Sequence, residues 1–352
     1  MSAAPDAVRQ KIPVNVLTGF LGSGKTSLLR RLLNSAEFSN CAVLINELGE
    51  IGLDHELIDV IDQETVVLSS GCICCGIRSD LVDTLLELNE KRDRGLVPAF
   101  DRVVLETTGL ADPVPVLNTI ISDPKLHFHF SVGTIVATVD AVHGMRQLEE
   151  HPESVKQAAV TDRLVITKAD LVGPGEVESL RSALYGINPS ARVITSRNDA
   201  GEAEVLMHED LGVPAAAAHE VGRWFAHEGA PVAAPPISGL FGGKGRRLGP
   251  LHASGIKTAS LVFDKPLDWA AFGVWFSMLL HCHGVRILRV KGILNIQGSD
   301  LPTVVHGVQH LVHPPSHLQS WPSADRRSRL VLIGELPSTA SLQQSLQQFM
   351  DL

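Results

Sequence analysis

The sequence predicts an α/β fold, in which a larger domain with a mainly parallel sheet is followed by a smaller α+β domain. Three observations carry that expectation. Short apolar runs alternate with stretches of helical period, the pattern of strands and helices layered on both faces of a sheet. The first such run ends in Gly19-Phe20-Leu21-Gly22-Ser23-Gly24-Lys25-Thr26, which fits the phosphate-loop pattern G-x-x-x-x-G-K-[ST]. The groups capable of chemistry follow predicted strands directly, and in such sheets ligands bind at the carboxyl ends of the strands.

Residues 14–17 read as a short buried strand and residues 26–33 as the start of a helix, the context a phosphate loop requires. Glycines let consecutive backbone N–H groups turn inward, and the helix N-terminus adds partial positive charge. Gly19, Gly22, Ser23, Gly24, Lys25, Thr26 and Ser27 are therefore the candidate triphosphate-binding residues. Lys25 would contact the β- and γ-phosphates, and Thr26 would ligate Mg²⁺. Residues 41–45 are a second apolar strand. It leads into residues 46–55, rich in acids and glycine, where Glu47, Glu50, Asp54 and His55 could touch metal or water.

Residues 65–68 are a strand running into Gly71-Cys72-Ile73-Cys74-Cys75-Gly76, and residues 77–94 place apolar side chains at helical spacing. Residues 102–106 form a strand ending in Glu106, whose carboxylate would face the Mg²⁺ shell or the attacking water. A strand at 134–139 stops at Asp140. Residues 163–166 deliver Thr167-Lys168-Ala169-Asp170. There the Asp170 carboxylate can accept both N–H groups on the Watson–Crick edge of guanine, a pair that adenine lacks, and Lys168 would lie along the base plane.

Composition changes over residues 213–250, where alanines, Pro235-Pro236 and many glycines read as a linker. The expected organisation is a tail at 1–11, the nucleotide-binding domain at 12–212, the linker at 213–250 and a second domain at 251–352. In that domain strands are expected at 256–263, 285–290 with 292–296, 303–311 and 329–333, and helices at 267–280 and 339–350. The spacing of Trp269, Phe272, Trp275 and Phe276 is that of a core-facing helix.

The formal net charge of −9 over 352 residues argues against non-specific nucleic-acid binding, which needs a basic surface. No apolar run is long enough to span a bilayer, and residues 1–11 lack the apolar core of a signal peptide. A cytoplasmic location is expected, with neither nucleic acid nor membrane as a partner.

Cysteine placement is the second strong signal. Cys72, Cys74 and Cys75 fall within one short loop between Gly71 and Gly76. In a reducing compartment such a cluster points to metal or redox chemistry rather than disulfides. The glycines would let several sulfurs face one point, and thiolates bind Zn²⁺ strongly. No second cysteine pair closes the cage, so a fourth position falls to water, a carboxylate or a partner, which suits transfer better than permanent structure. Redox sensing and buried structural cysteines are the alternatives. His281-Cys282-His283 reads as a helix terminus whose cationic histidines complement the dipole, with a second metal site at the helix end as the alternative. His306, His310, His313 and His317 are given no role.

Taken together and in order, the phosphate loop, Asn46-Glu47-Leu48-Gly49-Glu50, Gly71-Cys72-Ile73-Cys74-Cys75, Glu106-Thr107-Thr108-Gly109-Leu110-Ala111-Asp112-Pro113 and Thr167-Lys168-Ala169-Asp170 resemble the CobW family of P-loop GTPases. Arg289-Val290-Lys291-Gly292-Ile293-Leu294 and Ser328-Arg329-Leu330-Val331-Leu332-Ile333-Gly334 resemble that family's C-terminal domain, so the likeness covers residues 12–350. Leu48 stands where the family often has Phe, and the linker lacks the dense His tract of some members.

The resemblance implies a GTP-dependent metallochaperone. It implies GTP phosphates on Gly19 to Thr26, guanine on Lys168 and Asp170, and metal on Cys72, Cys74 and Cys75. Zinc (Zn²⁺) is the metal most often implied, while relatives are associated with Co²⁺ or Fe²⁺ in cobalamin synthesis and nitrile hydratase maturation. The implied partner is a recipient metalloprotein, which the C-terminal domain would recognise, or that domain would support a homodimer. GTP and Mg²⁺ would order residues 46–55 through the γ-phosphate, and hydrolysis would release them. Turnover is expected to be slow, because Arg78 is a candidate arginine finger only by proximity. Other readings are a nucleotide-modulated metal sensor or storage protein, a cobalt or iron insertion factor, and an ATP-using kinase.

Overall fold

The computed structural model describes residues 11–35, 38, 40–46, 66–70, 77–196 and 255–350. The first sheet is built from β1 (Ile12–Gly19), β2 (Cys41–Asn46), β3 (Val66–Ser70), β4 (Arg102–Glu106), β5 (Phe130–Asp140), β6 (Arg163–Thr167) and β7 (Arg192–Thr195). Its seven strands run in the order β3-β2-β4-β1-β5-β6-β7, and every neighbouring pair is parallel. Parallel strands need crossovers, and the crossovers cover both faces. They are α1 (Lys25–Leu33), α2 (Ile77–Asp93), α3 (Val114–Ser122), α4 (Pro124–His129), α5 (Gly144–Glu150), α6 (Pro152–Val160) and α7 (Pro174–Ile187).

Successive strand residues alternate between two cores, as the pleat demands. Leu17, Val43, Val104, Val136 and Val165 pack with Leu28, Leu29 and Leu32 of α1. Leu44, Leu105, Ala137, Leu164 and Ile166 pack with Leu85, Leu117, Leu148, Val155 and Leu184 on the other side. Helices α3 to α7 and strand β7 are short or weakly periodic. A proline in the first turn marks the start of α3, α4, α6 and α7 instead.

The second sheet contains β8 (Lys257–Phe263), β9 (Ile287–Leu294), β10 (Thr303–Val308), β11 (Leu311–Val312), β12 (Ser316–His317) and β13 (Ser328–Gly334). It is antiparallel, ordered β11-β10-β9-β13-β8 with β12 against β10. One face takes α8 (Trp269–His283) and α9 (Thr339–Met350) through Phe272, Trp275, Phe276, Leu279, Leu342 and Leu346. Phe272, Trp275 and Phe276 are thus core, as the sequence predicts, whereas Trp269 in the first turn of α8 is 44% exposed.

In the first sheet β5 begins at Phe130, ahead of the expected 134, and in this second domain three boundaries differ from expectation. Strand β9 is unbroken through Gly292, where a Cβ would press within 2.7 Å of Leu330 and 3.0 Å of Val305. The expected strand at 303–311 is two strands, because Gln309 adopts φ 54 and turns the chain back into β11. Helix α8 starts after Asp268, whose side chain caps the Ala271 amide at 2.8 Å, and continues to His283. The expected boundaries of the 213–250 linker lie outside the described residues.

The other face of the antiparallel sheet packs on α3, α6 and α7. Leu288, Ile293, Val304, Val331 and Ile333 join the same core as Leu117, Ile120, Val155 and Ala158. Within this seam lies an ionic cluster. Asp162, just beyond α6, pairs with Arg289 and, at 3.0 Å, with Lys291, and it accepts the Ile135 amide at 3.1 Å. Burial works to raise the pKa of Asp162, but the two cations of β9 outweigh it and hold the carboxyl well below the usual range. Beside them His306 and His313 stack with centroids 4.1 Å apart. Burial, with the neighbouring cations, keeps His306 well below its ordinary value and brings His313 down to about 4.

Asp162→Ala would leave two cations buried in the seam, and a loss of about 3–5 kcal/mol in urea denaturation is expected. The stacked histidines fold neutral but charge in the unfolded chain at about pH 6.5. Their contribution is therefore full above about pH 6.5 and is lost as pH falls toward 4. Urea curves at pH 7.5 and pH 5 (about) check this, and equal midpoints would contradict it.

Candidate nucleotide site and the cysteine loop

Strand β1 ends at Gly19, and the chain turns through residues 20–24 into α1. Gly24 closes the turn as the helix N-cap with φ 92, a conformation that strains any other residue. Helix α1 has no acidic residue of its own in its first turn. Lys25 folds back over the loop and donates to the carbonyls of Gly19 and Phe20 at 3.0 and 3.2 Å. Ser23 is buried, with its hydroxyl 2.6 Å from that of Thr138 on β5. Thr26 donates to Glu106 Oε1 at 2.8 Å. Glu106 is 5% exposed and stands level with Leu17 because β4 and β1 are in parallel register. Ser27 is exposed on α1.

The end of β6 closes the other side. Thr167 donates its hydroxyl to the Ser23 carbonyl at 2.7 Å, and so takes hold of the phosphate loop directly. Lys168 has φ 54, and its ammonium group bridges the Gly22 carbonyl and Asp140 Oδ2, each at 2.8 Å. Asp140, the last residue of β5, is 2% exposed and also accepts from the Val142 amide at 2.7 Å, with His143 Nδ1 at 3.0 Å. Burial tends to raise its pKa, but hydrogen bonds from Lys168, His143 and the Val142 amide hold it below the usual value. Asp170 lies on the short turn Ala169–Leu171, exposed, with no hydrogen bond from another described residue.

The segment after β4 lies against the phosphate loop. The Thr107 hydroxyl donates to that of Thr18 at 2.9 Å. Gln157 of α6 donates to the carbonyls of Gly109 and Ala111 at 3.2 and 3.0 Å. Phe20 stacks on His151 at 4.5 Å. Helix α6 therefore touches the nucleotide edge with one end while packing on β9 and β13.

Of the predicted residues, Gly19, Gly22, Ser23, Gly24, Lys25, Thr26, Glu106 and Lys168 converge at this edge, with Asp170 on the adjoining turn. Cys72, Cys74 and Cys75, and Glu47, Glu50, Asp54 and His55, lie outside the described residues, as does the side chain of Arg78. Strands β2 and β3, which precede them, end at Asn46 and Ser70. Cys41 is fully buried in β2, where desolvation pushes its thiol up to about 12, so it stays protonated. Helix α8 continues through His281, Cys282 and His283, so those side chains diverge by about 100° per residue. Among the described residues, no three or more His, Cys, Asp and Glu are grouped to hold a metal, and no helix is long and apolar enough to cross a membrane. Asp140, Thr138 and Gln157 were not singled out from sequence. Asp140 carried a signal, since it closes a predicted strand just as Glu106 does.

A parallel sheet bearing a phosphate loop, an acid on the neighbouring strand and T-K-x-D at the end of a third defines a P-loop GTPase. The chain belongs to the CobW family. Residues 13–195 match the CobW/HypB/UreG nucleotide-binding domain, and residues 256–350 match the cobalamin synthesis protein cobW C-terminal domain. Zinc chaperone YjiA of Escherichia coli K12 is 32% identical over 93% of this chain and 95% of its own length. Zinc chaperone CobW of Pseudomonas aeruginosa is 27% identical over 96% of this chain and 91% of its own. The crystal structure of Zn(II)-bound YjiA GTPase from E. coli superposes with a TM-score of 0.69 at 26% identity, covering 97% of this chain and 99% of that one.

The close approach of Gly109 to the phosphate loop gives a test. A Cβ there would lie 2.7 Å from the Leu21 amide nitrogen and 2.8 Å from its Cα. Overpacking of this kind costs about 1–3 kcal/mol. If the loop absorbs it, Gly109→Ala should weaken GTP binding roughly tenfold or more, read by fluorescent-nucleotide titration.

Proposed function

We propose that this chain is a GTP-hydrolysing metallochaperone that binds zinc at Cys72, Cys74 and Cys75 and hands it to a recipient metalloprotein under nucleotide control. The observation that carries this reading is the common carboxyl edge of the parallel sheet. The phosphate loop, Glu106 and the turn bearing Lys168 and Asp170 leave from that edge, and so does Ser70, two residues before Cys72 in the chain. The zinc chaperones among its full-length relatives support zinc as the cargo.

In this reading Lys25 leaves the carbonyls of Gly19 and Phe20 for the β- and γ-phosphate oxygens, exchanging two neutral acceptors for charged ones. The amides of the loop and the α1 N-terminus would hold the remaining phosphate oxygens. The Thr26 hydroxyl and the Glu106 carboxylate are hard oxygen donors side by side, which suits Mg²⁺. When bound, that ion supplies charge neutralisation on the transferring phosphoryl group. Thr26 would ligate it, and Glu106 would orient its outer shell or the attacking water. Asp170 accepts the two N–H groups of guanine, and the Lys168 stem covers the base. Residues 46–55 follow β2 from the same edge and would answer to the γ-phosphate, which would make the metal affinity of the cysteine loop depend on nucleotide.

Competition binding checks the base assignment. Asp170→Ala should lose most of the preference for GTP over ATP, and an unchanged preference would remove the guanine reading. Zinc titration of the apo protein with GTP analogue, with GDP and without nucleotide checks the coupling. Affinity should differ between nucleotide states and collapse in the Cys72→Ser, Cys74→Ser variant. By linkage, equal zinc affinity in every nucleotide state would defeat the delivery mechanism.

A further inference from the structure

We propose that Asp140 is a positioning residue for nucleotide recognition, fixing Lys168 between the end of β5 and the phosphate loop. The proposal rests on the guanine reading of Lys168 and Asp170 and extends it by one residue.

A lysine stem is flexible, and holding it in one rotamer beside a base costs side-chain entropy. Here two protein partners hold it. Lys168 Nζ is held at 2.8 Å by Asp140 Oδ2 and at 2.8 Å by the Gly22 carbonyl, so the stem is stretched across the mouth of the site. The anchor is itself rigid. Asp140 is 2% exposed, ends a buried strand, and spends its second oxygen on the Val142 amide at 2.7 Å. The partners facing it are Lys168 and His143, both partly exposed, with the charged pair at the mouth of the site rather than deep in the core. Thr167 and Lys168 grip adjacent loop carbonyls, those of Ser23 and Gly22. Asp140 therefore sets Lys168 and, through it, the shape of the phosphate loop. Its route to the phosphate loop runs through Lys168, while its bonds to the Val142 amide and His143 hold the carboxylate in place.

A double-mutant cycle isolates that route. GTP and GDP affinities are measured by fluorescent-nucleotide titration for the full chain and for Asp140→Asn, Lys168→Ala and the double variant. Asp140→Asn should weaken both nucleotides by a similar factor, roughly tenfold, raising KM for GTP while leaving kcat at saturating GTP nearly unchanged. In the Lys168→Ala background the same change should add almost nothing. Fully multiplicative effects, or an unchanged affinity in Asp140→Asn, would overturn the proposal. Asp140→Glu keeps the charge and should recover part of the affinity, so the question stays answerable if the Asn variant folds poorly. Asp170→Ala run alongside separates the two levels. If it leaves GTP preference intact, the guanine reading has failed; if it removes that preference while Asp140→Asn is silent, only the present inference has failed.

Discussion

The nucleotide edge depends on the parallel register of β4, β1, β5 and β6. Because all four strands run the same way, their last residues reach one edge of the sheet. Leu17 stands opposite Glu106, Gly19 opposite Thr138, and Asp140 opposite Thr167. Each of these positions is then used. Glu106 meets Thr26, Thr138 meets Ser23, Thr167 meets the Ser23 carbonyl, and Asp140 meets Lys168. A slip of one residue in any strand would send these side chains to the opposite face and apolar ones into their places. The apolar alternation that builds two cores is thus also what aligns the polar groups.

The antiparallel sheet is joined to this edge through a helix rather than through the strands. Helix α6 carries Gln157, which holds the backbone after β4 where Gly109 presses on the phosphate loop. Just beyond its last turn is Asp162, paired with Arg289 and Lys291 of the other sheet. The contact therefore combines an apolar core with the ionic cluster at Asp162, and hydrogen bonds from Asn118 to Gln309 and from Thr258 to the Ile187 carbonyl also cross it. Single buried pairs contribute little net stability against apolar replacements but are costly to break. Such a cluster fixes how the two sheets meet more than how tightly.

Much of this was legible in the residues. The phosphate loop, Glu106 and Thr167-Lys168-Ala169-Asp170 were found because each is a local pattern at the end of an apolar run, and the aromatic face of α8 because its period is helical. Less legible were features set by partners far away in the chain. Gly292 reads as a strand break until Leu330 and Val305 are seen to crowd it, and Gln309 gives no sign of its left-handed turn. Gln157 is ordinary in sequence and Asp140 shows only that it closes a strand; their roles come from the Gly109 and Ala111 carbonyls and from Lys168. Nor did His306 and His313 announce themselves, since only the antiparallel pairing of β10 and β11 stacks them.

The central claim is that nucleotide hydrolysis governs the metal, and a single-turnover release experiment tests it most directly. The protein is loaded with zinc and GTP and mixed with an excess of a chromogenic chelator, while zinc release and phosphate release are followed together. The account predicts that zinc reaches the chelator at the rate at which phosphate appears, and that a non-hydrolysable analogue holds it back. Zinc leaving at one rate whatever nucleotide is bound would contradict it.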